Sequence, residues 1–159
     1  MSTILAVAQR GDAILKCIAS PVLETEFNST WLHELAQSMH ATMQIKSGVG
    51  IAAPQVYVSK RVIIVASRPN LRYPDAPEMD AVVMLNPEIL EMSEQVILGE
   101  EGCLSVEGER GQVARADTIR VRYFTLVGAM MELTLSGFPA RIVQHEVDHL
   151  NGILFVDRL

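Results

Sequence analysis

The sequence predicts an α+β fold in which antiparallel β-sheets surround a C-terminal helix. Predicted strands outnumber predicted helices, and turns short enough for hairpins join most of them, which is typical of antiparallel pairing. Helical spacing of apolar residues is clear in two long stretches, one early and one late in the chain. Because 159 residues is the size of one domain, we expect residues 1–159 to form a single unit.

The early helical stretch covers residues 28–45. Asn28 stands where an N-cap is expected, because its side chain can accept a hydrogen bond from the first turn. Apolar residues then recur every three or four positions, which predicts one long amphipathic helix packed on the core through Leu32, Leu35, Met39 and Met43.

Two short apolar runs follow, at residues 61–66 and 81–85, and both are predicted as buried strands. The segment between them contains three prolines and is predicted as a surface loop. The second strand is expected to end at Asn86-Pro87, because proline cannot donate a hydrogen bond to a neighbouring strand.

A hairpin is predicted further along the chain. Residues 118–124 alternate between apolar and polar side chains, and the arginines at 120 and 122 lie on the face predicted to contact solvent. The same alternation returns at residues 131–135 beyond a turn near Gly128, which predicts an antiparallel partner.

The late helical stretch contains the pattern H-E-x-x-H, formed by His145, Glu146 and His149. Residues four apart on a helix lie about 40° apart around its axis, so both imidazoles project from one face. Two such imidazoles can bind one metal ion, and the intervening glutamate can hydrogen-bond a water molecule beside it. The pattern therefore predicts two metal ligands and a catalytic acid/base.

The flanking residues favour a helix here. Ser136 or Gly137 can cap it, Pro139 is compatible with its first turn, and Asn151-Gly152 predicts its end. The alternative is that the short pattern arose by chance on a buried helix. An unpartnered pair of imidazoles would be costly in a core, and this favours the metal.

The composition is that of a folded, non-membrane protein. Apolar residues make up 49% of the chain and charged residues 20%, as in globular domains. No apolar run approaches the roughly 18 residues of a membrane span, and the first residues lack a signal-peptide pattern, so we expect a cytoplasmic protein with no membrane partner. The net charge of −6 argues against a nucleic-acid partner, whose binding surface is usually basic.

A catalytic metal of this kind needs three protein ligands and one open position. Only ten residues follow His149 (159 minus 149), and Asp157 is the only one of them with a suitable side chain. The third ligand is therefore expected upstream, among the two cysteines, the two other histidines and the carboxylates. Cys103 is favoured because Gly102 lets the chain turn beside it and thiolate suits a borderline-soft metal. The alternative for Cys103 is a buried inert thiol, and Cys17 is expected to be a small core residue.

Three stretches together resemble the peptide deformylase family. The motifs of that family are G-x-G-L-A-A-x-Q, E-G-C-L-S and Q-H-E-x-D-H, and they correspond here to residues 48–55, 101–105 and 144–149, in the same order. Ile51 replaces the usual leucine of the first motif, which conserves volume. Three ordered motifs spread over most of the chain make the resemblance specific.

The resemblance implies a single deformylase-like catalytic domain with a role for each matching residue. It implies that the metal ligands are Cys103, His145 and His149. It implies that catalysis depends on Glu146 as acid/base and on two donors to the oxyanion, the Gln55 side chain and the Leu104 N–H. Substrate contacts are expected from Gly50, from Arg110, and from an apolar methionine pocket that includes Val49 and Ile142.

The activity implied is that of a metal-dependent hydrolase that removes the N-formyl group from the formylmethionine of newly made polypeptides and releases formate. The family implies ferrous iron as the native divalent metal. Zinc, nickel or cobalt also suit two imidazoles and a thiolate, and iron beside a thiolate oxidises in air, so isolated protein can carry these instead.

N-formylmethionyl peptides are the partners that the resemblance implies, together with a transient association with the ribosome. Many members of the family carry a C-terminal helix, and this sequence ends at Leu159 without one. A ribosome contact through such a helix is therefore not expected.

Two other functions fit parts of the sequence. A protease that cuts internal peptide bonds shares the H-E-x-x-H pattern, although many such proteases take their third ligand from downstream of the second histidine. A non-catalytic peptide-binding module would hold a structural metal, which usually has four protein ligands, and only three convincing ones are present.

Overall fold

Two antiparallel sheets and two α-helices make up the fold, seen in a computed structural model that describes residues 3–159. The helices are α1, Thr30–Ile45, and α2, Phe138–Leu150. The strands are β1 Gly50–Ala52, β2 Val62–Val65, β3 Val82–Met92, β4 Val96–Cys103, β5 Val106–Ala116, β6 Thr118–Phe124 and β7 Met130–Ser136. Short 3-10 helices cover Ala13–Lys16, Glu24–Glu26, Ala53–Val56 and Phe155–Arg158. The predicted α+β class with antiparallel sheets is confirmed.

The larger sheet has five strands in the order β1-β2-β3-β6-β7, and every neighbouring pair is antiparallel. The predicted hairpin is β6–β7, with Val121 opposite Leu133. Strands β4 and β5 form a separate two-stranded sheet. This second hairpin was not predicted, because its outer half is exposed and its charged and glycine residues do not alternate with apolar ones.

Both faces of the central sheet are covered. Ile63 and Val65 of β2 belong to one apolar cluster with side chains of α2, whereas Val62 and Ile64 belong to another with α1. Side chains of a strand alternate between faces, so the two helices pack on opposite sides of the sheet. Helix α2 also contacts β5, and it therefore lies between the two sheets.

Helix α1 begins one residue later than predicted. Its N-cap is Ser29, whose side chain accepts a hydrogen bond from the Leu32 N–H at 3.4 Å. Asn28 adopts a left-handed conformation with φ of 61° and hydrogen-bonds the ring of His33 instead. The prediction of Asn28 as the N-cap was wrong by one position, because both residue types can cap a helix.

Strand β3 does not end at Asn86-Pro87, so that prediction was wrong. Asn86 has φ of 50°, and the pairing with β6 shifts register between Leu85 and Glu88, which marks a β-bulge. Its amide side chain accepts a hydrogen bond from the Val22 N–H at 2.8 Å and donates one to the Val22 carbonyl at 2.9 Å. The bulge accommodates the proline, and the strand continues beyond it.

Within the part of the chain that is described, residues 3–159, neither helix has the length and apolar character that crossing a membrane requires.

Replacing Asn86 with alanine tests the bulge. We expect Asn86→Ala to lower the free energy of unfolding by roughly 1–3 kcal/mol, because two part-buried hydrogen bonds are lost at about 0.5–1.5 kcal/mol each. Urea denaturation measures the change. Asn28→Ala is the matched control, since Asn28 has the same left-handed backbone but only one exposed side-chain bond. An equal loss in both variants would contradict the role assigned to the Val22 contacts.

Candidate active site

Helix α2 places the H-E-x-x-H side chains in the interior. Its N-cap, Gly137, has φ of 67°, which favours glycine, and Pro139 lies in the first turn. His145 and His149 are 8% and 1% exposed, and Glu146 is 4% exposed. The amphipathic face predicted from the spacing is therefore buried.

The tight turn between β4 and β5 brings Cys103 to these histidines. Its Sγ lies 3.3 Å from His149 Nε2. One ligand atom from each of Cys103, His145 and His149 lies within 4.8 Å of the other two. The structure thus brings together the three side chains predicted as ligands. Cys17 is exposed, so its prediction as a core residue was wrong.

A carboxylate orients the first histidine. The Nδ1 of His145 lies 2.9 Å from Glu101 Oε1. Because an ionised carboxylate can only accept, Nδ1 donates the proton of this bond, and Nε2 is the ring nitrogen left to face a metal. Glu101 is held in turn by two hydrogen bonds of 2.9 Å from Arg115 and one of 2.8 Å from Arg141.

These partners determine the charge of Glu101. Burial alone would raise the pKa of its carboxyl group, but the hydrogen bonds from Arg115 and His145 lower that pKa far below the ordinary value of 4.5. The network extends to Asp148, which accepts bonds of 2.6 Å from Arg115 and from Arg158. His145 is thus fixed by a buried ionic network that joins β4, β5 and α2.

The pKa shifts of Cys103 and His145 describe a thiolate beside a positive charge. Burial raises the pKa of Cys103, but the charge of His149 and hydrogen bonds from both histidines lower it well below its usual range. The pKa of His145 is raised despite burial, mainly by the charge of Glu146. A divalent cation supplies the same positive charge next to the thiolate, so the donor set fits a metal ion.

Glu146 approaches this cluster without binding to it. Its Oε2 lies 4.0 Å from His145 Nε2, and its Oε1 is buried with no hydrogen-bond partner among residues 3–159. Burial raises the pKa of its carboxyl group, although the two histidines oppose this shift. A buried carboxylate with a free oxygen and a raised pKa is suited to accept and return a proton.

Gly50 on β1 is required by this close approach. A Cβ atom at Gly50 would lie 2.7 Å from Glu146 Oε2 and 2.7 Å from Ile142 Cγ2. Strand β1 can therefore pass over the helix only without a side chain at this position. The motif at residues 48–55 therefore contributes backbone rather than a side chain at Gly50.

One pocket opens beside Cys103, His145 and Glu146, and the two predicted oxyanion donors border it. The Gln55 amide nitrogen donates to Ser105 Oγ at 3.0 Å and lies 3.6 Å from Cys103 Sγ, while its oxygen accepts from the Ala52 N–H. Leu104 follows Cys103 directly and lines the pocket as well. Both residues therefore adjoin the cluster of Cys103, His145 and His149.

Val49, Ile142 and Phe138 supply apolar walls to this pocket. Arg110, predicted to contact the substrate, lies outside it in two adjoining clefts. Its guanidinium stacks 4.7 Å from the centre of the Tyr73 ring and donates to Glu100 at 3.0 Å.

The sequence analysis missed three residues that build the site. Arg115 and Arg141 are distant in sequence from Glu101 yet hold its carboxylate, and Tyr73 belongs to the proline-containing loop. The Tyr73 hydroxyl accepts a hydrogen bond of 3.0 Å from the Gly102 N–H next to Cys103. Arg141 stands in an otherwise apolar stretch of α2, and this was the one sequence feature that indicated a buried charged partner.

Comparison with known proteins agrees with this geometry. The sequence model of the family described as polypeptide deformylase matches residues 4–159. The chain belongs to this family. Peptide deformylases are metal-dependent hydrolases that remove the N-formyl group from nascent peptides.

Relatives of known sequence and structure share most of their length with this chain. Peptide deformylase 2 of Shewanella oneidensis is 51% identical over 97% of this chain and 83% of its own. Peptide deformylase 2 of a Nostoc species is 46% identical over 98% of this chain and 86% of its own. The class I type b peptide deformylase of Acinetobacter baumannii, solved with Met-Ala-Ser bound, is 70% identical over 100% of both chains, with a TM-score of 0.98.

The lowered pKa of Glu101 predicts how acid affects stability. Because the folded pKa lies below the unfolded value, ionised Glu101 stabilises the fold above about pH 4.5, and this contribution is lost as the pH falls below that value. We expect Glu101→Gln to be less stable at pH 7 and to lose less further stability between pH 5 and pH 3 than the unmodified protein. Urea unfolding across this range measures both effects.

Glu94→Gln is the control for that experiment, because Glu94 is an exposed glutamate on the loop between β3 and β4. Its acid-dependent loss of stability should match that of the unmodified protein. If Glu101→Gln also matched it, the ionised state of Glu101 would not be what stabilises the site.

Proposed function

We propose that Cys103, His145 and His149 hold one divalent metal with which this chain removes the formyl group from N-formylmethionyl peptides. The observation that carries the proposal is the convergence of these three ligand atoms within 4.8 Å, beside the buried carboxylate of Glu146. Three protein ligands leave one position open, as in catalytic rather than structural metal sites.

When bound, the metal acts as a Lewis acid that makes a water molecule nucleophilic near neutral pH. We assign ferrous iron as the native metal because the family uses it, while the donor set also suits zinc, nickel or cobalt. Glu101 keeps His145 in the tautomer that offers Nε2 as a ligand.

Glu146 is assigned as the general acid/base. Its carboxylate takes a proton from the attacking water and delivers it to the departing amine of the methionine residue. The raised pKa and the unpaired Oε1 suit this exchange, because the group can hold a proton between the two steps. Gly50 keeps space for the carboxylate by lacking a side chain.

Gln55 and the Leu104 N–H are assigned to the oxygen of the formyl group. That oxygen gains negative charge as water adds to the carbon, and hydrogen-bond donors fixed beforehand stabilise it without reorganisation. The Gln55 amide is already fixed through its contacts with Ala52 and Ser105.

The methionine side chain is assigned to the pocket formed by Val49, Phe138 and Ile142. The A. baumannii relative was solved with Met-Ala-Ser, a peptide that begins with methionine, and this supports the assignment. Gly50 borders the substrate backbone and Arg110 the chain beyond the first residue.

Residues 1–159 would act as one catalytic domain, with the sheets holding α2 at its centre and α1 as the long N-terminal helix. The reaction belongs in the cytoplasm, on new chains, with a transient ribosome association.

Exchange of each cysteine for serine tests the ligand assignment. We expect Cys103→Ser to lower bound metal and formate release by more than about 100-fold, since losing even a partner behind a ligand costs 10–100-fold. Elemental analysis of oxygen-free preparations gives the metal content. Cys17→Ser is the matched control, because Cys17 is exposed, and it should keep both properties. Equal losses in the two variants would remove Cys103 from the ligand set.

The acid/base assignment is tested by formate release from a formyl-Met tripeptide. Glu146→Gln should keep the metal yet lower kcat by about 100- to 10,000-fold, the range for general acid–base catalysis. A parallel fall in metal content would instead make Glu146 structural.

The same assay separates the two alternative functions. Cleavage of unformylated peptides would favour a protease that cuts internal peptide bonds, and full metal occupancy without formate release would favour a peptide-binding module.

A further inference from the structure

An arginine lies where the proposed methionine pocket would be expected to be apolar. Arg141 precedes Ile142 on α2 and lines the same pocket as Val49 and Phe138. It is only 8% exposed. A buried arginine brings hydrogen-bond donors and a permanent charge to a place where a thioether side chain needs only apolar contacts.

The guanidinium of Arg141 is held rigidly. Its Nη1 donates to Glu101 Oε2 and to the Val113 carbonyl, each at 2.8 Å, and its Nη2 donates to the Ile97 carbonyl at 2.7 Å. Three short bonds to two strands and a carboxylate leave it little freedom to move. The group is therefore a fixed feature of the pocket.

The neighbouring strand is shaped to receive this group. A Cβ atom at Gly99 would lie 2.7 Å from both Cζ and Nη2 of Arg141 and 2.8 Å from its Nε. Any larger residue on this part of β4 would displace the guanidinium. Gly99 and Arg141 therefore form a matched pair.

Two donors of this group remain free. An arginine has five N–H donors, and the three bonds described occupy both on Nη1 and one on Nη2. The Nε–H and the second Nη2–H make no hydrogen bond with residues 3–159. Because the side chain lines the pocket, a bound substrate side chain can supply the acceptor.

We propose that Arg141 determines specificity and lets the pocket accept a first residue whose side chain ends in a hydrogen-bond acceptor. The acceptor that suits a methionine-shaped pocket is the S=O group of methionine sulfoxide, so peptides that begin with N-formylmethionine sulfoxide are a second substrate class. This inference rests on the proposed deformylase function. An apolar pocket would reject the sulfoxide, because a buried S=O group without a donor is costly.

The reaction itself is unchanged. Water adds its hydroxyl group to the formyl carbon, the C–N bond breaks, and the remaining proton of the water goes to the departing amine. Formate and a peptide with a free amino-terminal methionine sulfoxide are released. The sulfoxide is neither reduced nor oxidised, so no further reactant is needed.

The proposal is tested on the metal-loaded enzyme with three tripeptides. Their first residues are formyl-methionine, formyl-methionine sulfoxide and formyl-norleucine. Norleucine has the shape of methionine and no acceptor. The quantity compared is the ratio of kcat/KM for the sulfoxide to that for norleucine. Damage to the metal site lowers both values together, so the ratio reports the pocket alone.

We expect the unmodified enzyme to use the sulfoxide within about tenfold of norleucine, and Arg141→Met to lower this ratio by about tenfold or more. Gly99→Ala keeps every donor but displaces the guanidinium, so it should lower the ratio in the same direction. Arg122→Met is the control, because Arg122 is part-exposed on β6 and pairs with Glu88.

Two results would overturn the inference. One is a ratio below about one-tenth in the unmodified enzyme, and the other is an unchanged ratio in both Gly99→Ala and Arg141→Met. Failure of the proposed function looks different, because formyl-methionine and formyl-norleucine would then also release no formate.

Discussion

The buried carboxylate of Glu101 is the interaction on which the rest of the site depends. It accepts four hydrogen bonds, two from Arg115 and one each from Arg141 and His145. These partners come from β5 and α2, while Glu101 itself belongs to β4. A charge removed from water is tolerated only when it is fully paired, so the elements must dock together for any one of them to be stable.

That requirement links folding to chemistry. The same carboxylate that pairs with two buried arginines also orients His145, so the fold cannot form its ionic network without positioning this imidazole beside Cys103. Asp148 extends the network about one turn further along α2, where it accepts hydrogen bonds from Arg158 of the last 3-10 helix. The result is a site whose side chains have little freedom before any ligand binds, which lowers the reorganisation that catalysis requires.

The second feature of the site is the close approach of strand backbones to charged side chains of α2. Gly50 lets strand β1 pass against Glu146, and Gly99 lets strand β4 pass against Arg141. In each case the missing side chain leaves space for a charged group of α2. The charged groups of the helix and the glycines of the strands therefore have complementary shapes at both contacts.

Local pattern was enough to predict much of this protein. Helical spacing located α1 and α2, alternation located β6 and β7, and three short motifs located Cys103, His145, His149 and Glu146, because each is a relation between residues close in sequence. The bulge at Asn86 and the exposure of Cys17 were not predicted, since each depends on contacts with distant segments. The β4–β5 hairpin is local but was not predicted, because its charged and glycine residues do not alternate with apolar ones. Tertiary structure alone decided which charges meet. Arg115 and Arg141 lie 14 and 40 positions from Glu101, and only folding shows that the three share one buried network.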